Sequence, residues 1–215
     1  MATKGNGKAG RPPADVVQSF PPVADAGARV LILGSMPGVA SLVAGRYYAH
    51  ARNAFWPLMG ALLGFAADAP YAARTAALRA AGVALWDVLH TCARAGSLDA
   101  MIDRDSAVAN DLPAFFAAHP RVRHVFFNGA AAEDCFRRHV LPHLAAGGAL
   151  RLARLPSTSP ANAAFSFEQK LAVWRAALSP LLADDERMPA RQEEPRCNTS
   201  PATTTPESAR KRSPR

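Results

Sequence analysis

Three segments of the chain place glycine, aromatic or hydrogen-bonding residues next to short apolar runs. The turn at 34–38 reads GSMPG, and its glycines and proline let backbone N–H and C=O groups approach a ligand closely. The segment 47–56, YYAHARNAFW, combines aromatic rings with His, Arg and Asn, and the loop 155–162, LPSTSPAN, carries hydroxyl groups. Amides can orient water or bind a polar ligand, and hydroxyl groups can bind phosphates. These segments therefore hold most of the candidate functional residues.

Other common ligand-binding motifs are absent from the sequence. No Gly-Lys-Ser or Gly-Lys-Thr follows the turn at 34–38, which excludes a Walker A loop, and the turn lacks the third glycine of a dinucleotide-binding motif. Cys92, Cys135 and Cys197 are far apart and form no CxxC pair, so they cannot assemble a zinc ribbon or an iron–sulfur cluster. We therefore expect no metal and no cofactor.

In order and length, the motifs resemble those of the uracil-DNA glycosylase superfamily, and most closely its hypoxanthine-DNA glycosylase branch. That branch has the pattern GSMPG, SL, YYAHPRN and FW, and this chain departs from it only at Ala51, where proline is usual. We expect this change to loosen the approach to Asn53 without removing a chemical group. The segments 126–129, FFNG, and 155–162 resemble the remaining motifs of the branch, and LWDV at 85–88 and GSLD at 96–99 are also similar. The resemblance covers about residues 28–182 and implies a DNA glycosylase that releases hypoxanthine from deoxyinosine.

The resemblance implies that Asn53 is the catalytic residue. Breaking an N-glycosidic bond passes through an oxocarbenium-like sugar, so the protein must place water or stabilise the departing base, and an amide can do either. In this branch an Asn at this point replaces the acidic or amide residue that other branches carry in the first turn. That position is Met36 here, which cannot polarise water. The alternative is that Asn53 caps the helix predicted at 54–63, and both roles can coexist.

The resemblance also implies a pocket for a flipped-out base, because a glycosylase must take the nucleotide out of the duplex. Its expected members are Gly34, Ser35, Met36, Tyr48 and Asn128. Tyr48 would stack on the base, and the Asn128 amide would offer a donor and an acceptor to the purine edge. The alternatives are a core tyrosine and a turn asparagine. For the neighbouring Tyr47 we predict a core position.

Contacts to DNA are expected from six further polar residues, namely His50, Arg52, Ser157, Thr158, Ser159 and Asn162. The hydroxyl groups and backbone N–H groups of the loop 155–162 would hold phosphates, with Asn162 near the emptied base stack. His50 can instead be a local hydrogen-bonding partner, and Arg52 a solvated surface charge. Asp87 can orient water or cap a loop, and it stays outside the predicted catalytic set.

Four apolar runs, bounded by Gly or Pro, predict the buried parallel strands that position these residues. The runs are 29–34, 83–88, 122–128 and 150–155, and the segments 54–63, 71–81, 108–118, 131–144 and 167–182 have helical spacing. This alternation predicts an α/β fold, a three-layer α/β/α sandwich with a short, mainly parallel four-stranded sheet. Ser166 and Gln169 predict a capping box for the last helix. Ligands bind at the carboxyl ends of such strands, where the candidate motifs lie.

Composition bounds the rest of the chain. Residues 1–20 and 184–215 are rich in polar residues and proline and are predicted to be a disordered arm and tail around a glycosylase domain at 21–183. Most of the formal net charge of +8 falls within 21–183, which favours a phosphate-bearing partner. No segment predicts a membrane span or secretion signal. We expect a monomer that acts on DNA containing a deaminated base, in the cytoplasm and associated with the nucleoid when bound to DNA.

Three other functions stay open from the sequence. Within the enzyme class, the alternative is uracil or G:U/T mismatch excision, because one fold hosts several base specificities. Met36 argues against this alternative. Outside it, a non-catalytic protein could bind damaged DNA, and a nucleotide-binding protein unrelated to DNA is more distant because no phosphate loop is present. If the chain is a glycosylase, it should be monofunctional. Lys170, the only lysine outside the predicted tails, lies away from the predicted pocket and cannot serve as the amine nucleophile.

Overall fold

The computed structural model describes residues 15–144 and 150–183. Its strands are β1 (Val16–Gln18), β2 (Val30–Gly34), β3 (Val83–Asp87), β4 (Leu89–Ala93), β5 (Val108–Ala109), β6 (His124–Asn128) and β7 (Arg151–Leu155). Its helices are α1 (Val39–Ala44), α2 (Phe55–Leu63), α3 (Tyr71–Ala80), α4 (Leu112–Ala118), α5 (Ala130–His139) and α6 (Phe167–Ala183). Short 3-10 turns lie at Asp99–Met101, Arg104–Ser106 and Leu141–His143.

The predicted four-stranded parallel sheet is present, in the order β3-β2-β6-β7. Every residue of β2 is buried, because strands pair with it on both sides and its apolar side chains join the core. The register aligns Gly34 with Asp87 and Asn128 with Leu155. The carboxyl ends of all four strands therefore meet at one edge of the sheet, as the α/β prediction requires.

One strand of this sheet differs from the prediction. β7 was expected to be buried, but Arg151, Ala153 and Arg154 are exposed. The reason is that β7 is an edge strand, paired only with β6. An edge position tolerates charged side chains, which also discourage pairing with another sheet.

A second, three-stranded antiparallel sheet, in the order β1-β4-β5, was not predicted. Because β1 belongs to it, the expectation of disorder is wrong for residues 15–20: Val17 pairs with Cys92, and Ser19 is buried. Residues 1–14 and 184–215 lie outside the described residues. The helix predicted at 108–118 is likewise wrong at its start, where β5 pairs with β4 and the helix begins only at Leu112. These strands are short, and their pairing with a distant strand leaves no local periodicity to detect.

The last two helices largely follow the sequence pattern. α5 ends at His139, and a 3-10 turn that contains Pro142 replaces the rest of the predicted helix, because proline disrupts a helix interior. The capping box of α6 is confirmed: Ser166 N–H donates to Gln169 Oε1 at 2.8 Å, and Gln169 N–H donates to Ser166 Oγ at 3.2 Å. Within the described residues, no helix has the length and hydrophobicity needed to cross a membrane.

Candidate active site

A cavity of about 260 Å³ lies at the carboxyl-terminal edge of the parallel sheet. Its walls are formed by the turn after β2, the loop before α2, the end of β3, residues 97–99, the end of β6 and the loop after β7. The cavity brings together most of the predicted site residues, namely Gly34, Ser35, Met36, Tyr48, His50, Asn53, Asn128, Ser157, Thr158 and Ser159. Arg52 and Asn162 do not line it. Segments far apart in sequence thus form one site.

Asn128, at the end of β6, connects two of the other motifs through a single side chain. Its Nδ2 donates to the Tyr48 hydroxyl at 2.9 Å and to Thr158 Oγ1 at 2.8 Å, while its Oδ1 accepts from Thr158 N–H at 2.8 Å. A backbone N–H can only donate, so this last bond fixes the orientation of the amide. Both N–H groups of Asn128 are engaged within the protein. What the amide can offer a ligand is therefore an acceptor, and the donor expected from the sequence is already used.

The position of Tyr48 suits a stacking platform. Its ring stacks on Phe55, with the ring centroids 4.0 Å apart and the planes at 21°, and it lines the cavity. Tyr48 is also the one non-glycine residue in the described ranges with a positive φ, 52°, an unfavourable conformation that turns up mainly at functional sites. The predicted core role of its neighbour agrees with the structure: Tyr47 is buried, and its hydroxyl donates to the carbonyl groups of Phe20 and Pro21.

Asn53 caps α2 and also lines the cavity. Its Oδ1 accepts from Phe55 N–H at 3.0 Å, which satisfies one of the unpaired N–H groups at the helix start. No described residue accepts a hydrogen bond from its Nδ2, and the second lone pair of Oδ1 is also unused. The cap therefore holds the amide in place and leaves polar atoms for water or ligand. The two roles considered from the sequence are compatible.

The turn at 34–38 is held by a residue that the sequence reasoning missed. Arg94, in the segment after β4, is only 2% exposed, and its guanidinium donates to the carbonyl groups of Met36 and Pro37. Ser35 Oγ donates to Asp99 Oδ1 at 2.6 Å, which connects the turn to the opposite wall. Met36, 6% exposed, lines the cavity, and its thioether cannot polarise water. The turn therefore shapes the cavity without supplying a base.

Asp87 is a second residue whose importance the sequence did not reveal. It ends β3, lines the cavity and is only 3% exposed. Its Oδ2 is buried without a hydrogen-bond partner in the described part of the chain. Removal from water and, to a smaller extent, the nearby charge of Asp99 raise the pKa of this carboxyl to about 8, and the charge of Arg94 partly opposes the shift. The cavity thus contains a carboxyl group that is mostly protonated at neutral pH.

Comparison with known proteins places this chain in a family. The family model of the uracil DNA glycosylase superfamily matches residues 21–178. The chain belongs to this superfamily. It is 32% identical over 162 residues to the hypoxanthine DNA glycosylase of Methanosarcina acetivorans, an alignment that covers 75% of this chain and 97% of that protein. It is 37% identical over 118 residues to the hypoxanthine DNA glycosylase of Methanosarcina barkeri, covering 54% of this chain and 73% of that protein.

A solved structure supports the same assignment. The solution NMR structure of a candidate uracil DNA glycosylase from M. acetivorans superposes with a TM-score of 0.61 at 31% identity, covering 75% of this chain and 98% of that one. The α/β fold and the superfamily membership expected from the sequence are thus confirmed, and the sequence relatives belong to the hypoxanthine DNA glycosylase branch.

In this superfamily member, the residues expected to contact DNA differ in their exposure and in whether their hydrogen-bonding groups are free to contact DNA. His50 is exposed on the cavity rim, and its Nδ1 accepts from Arg52 N–H at 3.1 Å, so a neutral ring carries its proton on Nε2 and can donate outward. Arg52 is exposed. Thr158 does not fit a phosphate contact: it is 0% exposed, and its hydroxyl and N–H are both bonded to Asn128. Its role is to join the loop 155–162 to β6.

The loop 155–162 is further held from within and from α6. Ser157 Oγ accepts from Ser159 N–H at 3.2 Å, and Asn162 Nδ2 donates to the Ser157 carbonyl at 3.1 Å. Lys170 is buried on α6, and its Nζ donates to the Asn162 carbonyl at 2.9 Å. Its loop contact brings Lys170 nearer to the site than the sequence suggested, but it does not line the cavity. Ser157 and Ser159 remain at the cavity wall, within a rigid loop.

Proposed function

We propose that this protein hydrolyses the N-glycosidic bond of deoxyinosine in DNA, releasing hypoxanthine and leaving an abasic site. The proposal draws on its relatives, two of which are named hypoxanthine DNA glycosylases, and on the chemistry of the cavity. The observation that carries it is the difference between Met36, which is apolar, and Asn53, which is polar, in the same cavity. Met36 in the first turn offers an apolar side chain to the cavity and the Ser35 hydroxyl is already bonded to Asp99, while the Asn53 amide, fixed by its hydrogen bond to α2, lines the same cavity.

In the proposed mechanism the flipped base enters the cavity and stacks on Tyr48, whose ring is backed by Phe55. The Asn128 Oδ1 accepts a hydrogen bond from N1–H of hypoxanthine with its unused lone pair. The Asn53 amide holds the attacking water, which adds to C1′ as the bond to N9 breaks. His50, Arg52, Ser157 and Ser159 position the DNA through phosphate contacts.

A strand-cleavage assay tests this function. Matched duplexes that contain inosine, uracil, xanthine or ethenoadenine are incubated with the purified protein, and abasic sites are revealed by alkali. We expect inosine to be the best substrate and uracil to be poor or inert. Faster release of uracil than of hypoxanthine would favour the mismatch or uracil specificity instead. Release of no base at all, together with tight binding to the damaged duplexes, would favour a non-catalytic damage-binding protein.

We further propose that the enzyme is monofunctional, with water as the nucleophile. A bifunctional glycosylase forms a Schiff base through an amine, and Lys170, the one lysine within the described ranges, is buried against the Asn162 carbonyl outside the cavity. Borohydride treatment of the enzyme with inosine DNA should therefore trap no covalent complex, and strand breaks should appear only after alkali. A trapped adduct that is lost in Lys170→Ala would contradict this mechanism.

The remaining expectations concern the whole chain. We propose that residues 21–183 form the glycosylase domain, supplemented by β1, and that the enzyme acts as a monomer on DNA in the cytoplasm. Analytical ultracentrifugation of the protein with and without DNA tests the monomer, and fluorescence microscopy of a tagged chain tests its place in the cell. A stable dimer in the absence of DNA would contradict the first of these proposals.

A further inference from the structure

We propose that the Asp87 carboxyl is a catalytic acid that protonates the departing purine at N7. This inference rests on the proposed function, since it concerns the release of hypoxanthine. It assigns a role to a residue outside the motifs that point to Asn53, and it supplies something that Asn53 cannot. An amide can orient water but cannot give a proton to a leaving group at neutral pH.

The first support is the position of Asp87. The parallel register aligns it with Gly34, and a Cβ at Gly34 would lie 2.3 Å from Asp87 Oδ1 and 3.2 Å from the Tyr48 hydroxyl. The missing side chain of Gly34 therefore creates the space that the carboxyl occupies beside the stacking tyrosine. Both Asp87 and Tyr48 line the cavity. A base that stacks on Tyr48 would lie next to this carboxyl.

The second support is that the fold does not use the Asp87 side chain. The backbone around it is already held, because Val88 N–H donates to the Gly34 carbonyl at 2.8 Å and Asn110 Nδ2 donates to the Asp87 carbonyl at 2.9 Å. The carboxyl itself is buried, and its Oδ2 has no partner among the described residues. A buried polar group without a partner costs free energy in the unliganded protein. A buried polar group without a partner calls for a reason beyond folding, and a catalytic role is one such reason.

The third support is the electrostatic setting. The charged groups that shift the pKa of Asp87 are Asp99 and Arg94. The neighbouring Tyr47 and Tyr48 hydroxyls stay protonated, because burial and the charge of Asp87 raise their pKa values. Burial and the charge of Asp99 raise the pKa of Asp87 to about 8, against the opposing charge of Arg94. The carboxyl is thus protonated near neutral pH, as a general acid must be.

The reaction balances as follows. The C1′–N9 bond breaks, and its electron pair goes to the purine ring. Asp87 gives its proton to N7, so hypoxanthine leaves as a neutral molecule rather than as an anion in a cavity that also holds Asp99. Water forms the new bond to C1′ and loses a proton to solvent, and the Asp87 carboxylate recovers a proton from solvent before the next turnover. Uracil has no N7, so this acid assists purine release selectively.

Single-turnover rates across pH test the proposal. The full chain, in excess over an inosine-containing duplex, is assayed between about pH 6 and about pH 10, and the rate should fall tenfold per pH unit above the pKa of the essential acid. We expect that fall to begin near pH 8. Asp87→Asn can still donate a hydrogen bond but cannot release a proton, so its rate at pH 7 should be lower by about 100-fold or more. Any alkaline fall that it retains should start only at the higher pH at which N1–H of inosine ionises.

Asp99→Asn is the matched control, because it removes the other carboxyl of the same cavity. It should keep the alkaline fall in rate, but at lower pH, since the charge of Asp99 helps to raise the pKa of Asp87. Binding to an abasic-site duplex reports whether each variant is folded. A wild-type rate that is flat with pH, or an alkaline fall that starts at the same pH in Asp87→Asn as in the wild type, overturns the role of Asp87 and leaves the proposed function intact. Absence of hypoxanthine release by the wild type at every pH overturns both.

Discussion

The two tasks assigned to Asn53 can be separated by substitution. In Asn53→Ala, Phe55 N–H loses its 3.0 Å acceptor, and loss of such a helix cap costs about 1 kcal/mol of stability. The same change removes the amide from the cavity, and loss of one preorganised catalytic hydrogen bond lowers a rate by about 100-fold or more. We therefore expect a modest fall in the melting temperature and a large fall in the single-turnover rate of hypoxanthine release, with DNA affinity largely retained.

Asn53→Ser is the control that distinguishes the two effects. Serine caps helices about as well as asparagine, so this variant should recover the stability lost in Asn53→Ala. It lacks the amide and should not recover the rate. The assay measures excision with enzyme in excess, thermal unfolding, and affinity for an abasic-site duplex. A variant that melts early but retains the wild-type rate when folded, or a serine variant with full activity, would refute catalysis by the Asn53 amide.

Three further predictions concern stability and DNA binding. The pKa of Asp87 is raised to about 8 in the fold, so the unfolded chain loses this proton first as pH rises, and the stability of the wild type falls between about pH 4 and pH 8. Asp87→Asn lacks this proton, so its stability relative to the wild type should rise by roughly a few kcal/mol from the lower to the higher pH. Thermal unfolding of both proteins at both pH values checks this. Lys170→Met should weaken binding to abasic-site DNA by about tenfold, since a charged hydrogen bond to the Asn162 carbonyl is lost, whereas Arg175→Met on the exposed side of the same helix should not. Deletion of residues 184–215 should leave the melting temperature unchanged and weaken DNA binding only modestly, because that segment has few apolar residues and nearly balanced charge; a large loss of stability would show that it packs on the core.

The parts of the fold that the sequence predicts are those whose signal is local. The apolar runs that end at Gly34, Val88, Asn128 and Leu155 mark the strands within two residues at each end, because each run is bounded by turn residues. Because the carboxyl ends of parallel strands meet at one edge of the sheet, the motifs that follow these strands are predicted to form one site. The capping box of α6 is equally local and is confirmed.

The features that sequence reasoning missed depend on partners far along the chain. Val17 belongs to a strand only because Cys92 pairs with it, and Thr158 is removed from DNA contact only because Asn128 binds both its hydroxyl and its N–H. Asp87 is the last residue of a buried strand, and its burial becomes visible only when Gly34 is aligned beside it. The sequence does carry one signal: a carboxylate at the end of an apolar strand, at the ligand-binding edge, is a group that the fold must either pair or use.

Taken with the proposed function, the fixed orientation of Asn128 has a consequence for base selection. Both of its N–H groups are committed to Tyr48 and Thr158, so the amide presents only the free lone pair of Oδ1 to a base. Hypoxanthine carries a proton on N1 and can satisfy that acceptor, whereas adenine has a lone pair on N1 and would place two acceptors against each other. A protonated Asp87 supplies the complementary donor, which hypoxanthine can accept at N7. The cavity therefore combines one fixed acceptor with one acid. The hydrogen bond from Thr158 N–H to Asn128 Oδ1 holds the loop 155–162 against β6 and also prevents the Asn128 amide from rotating by half a turn. The proposed discrimination against adenine depends on that same bond.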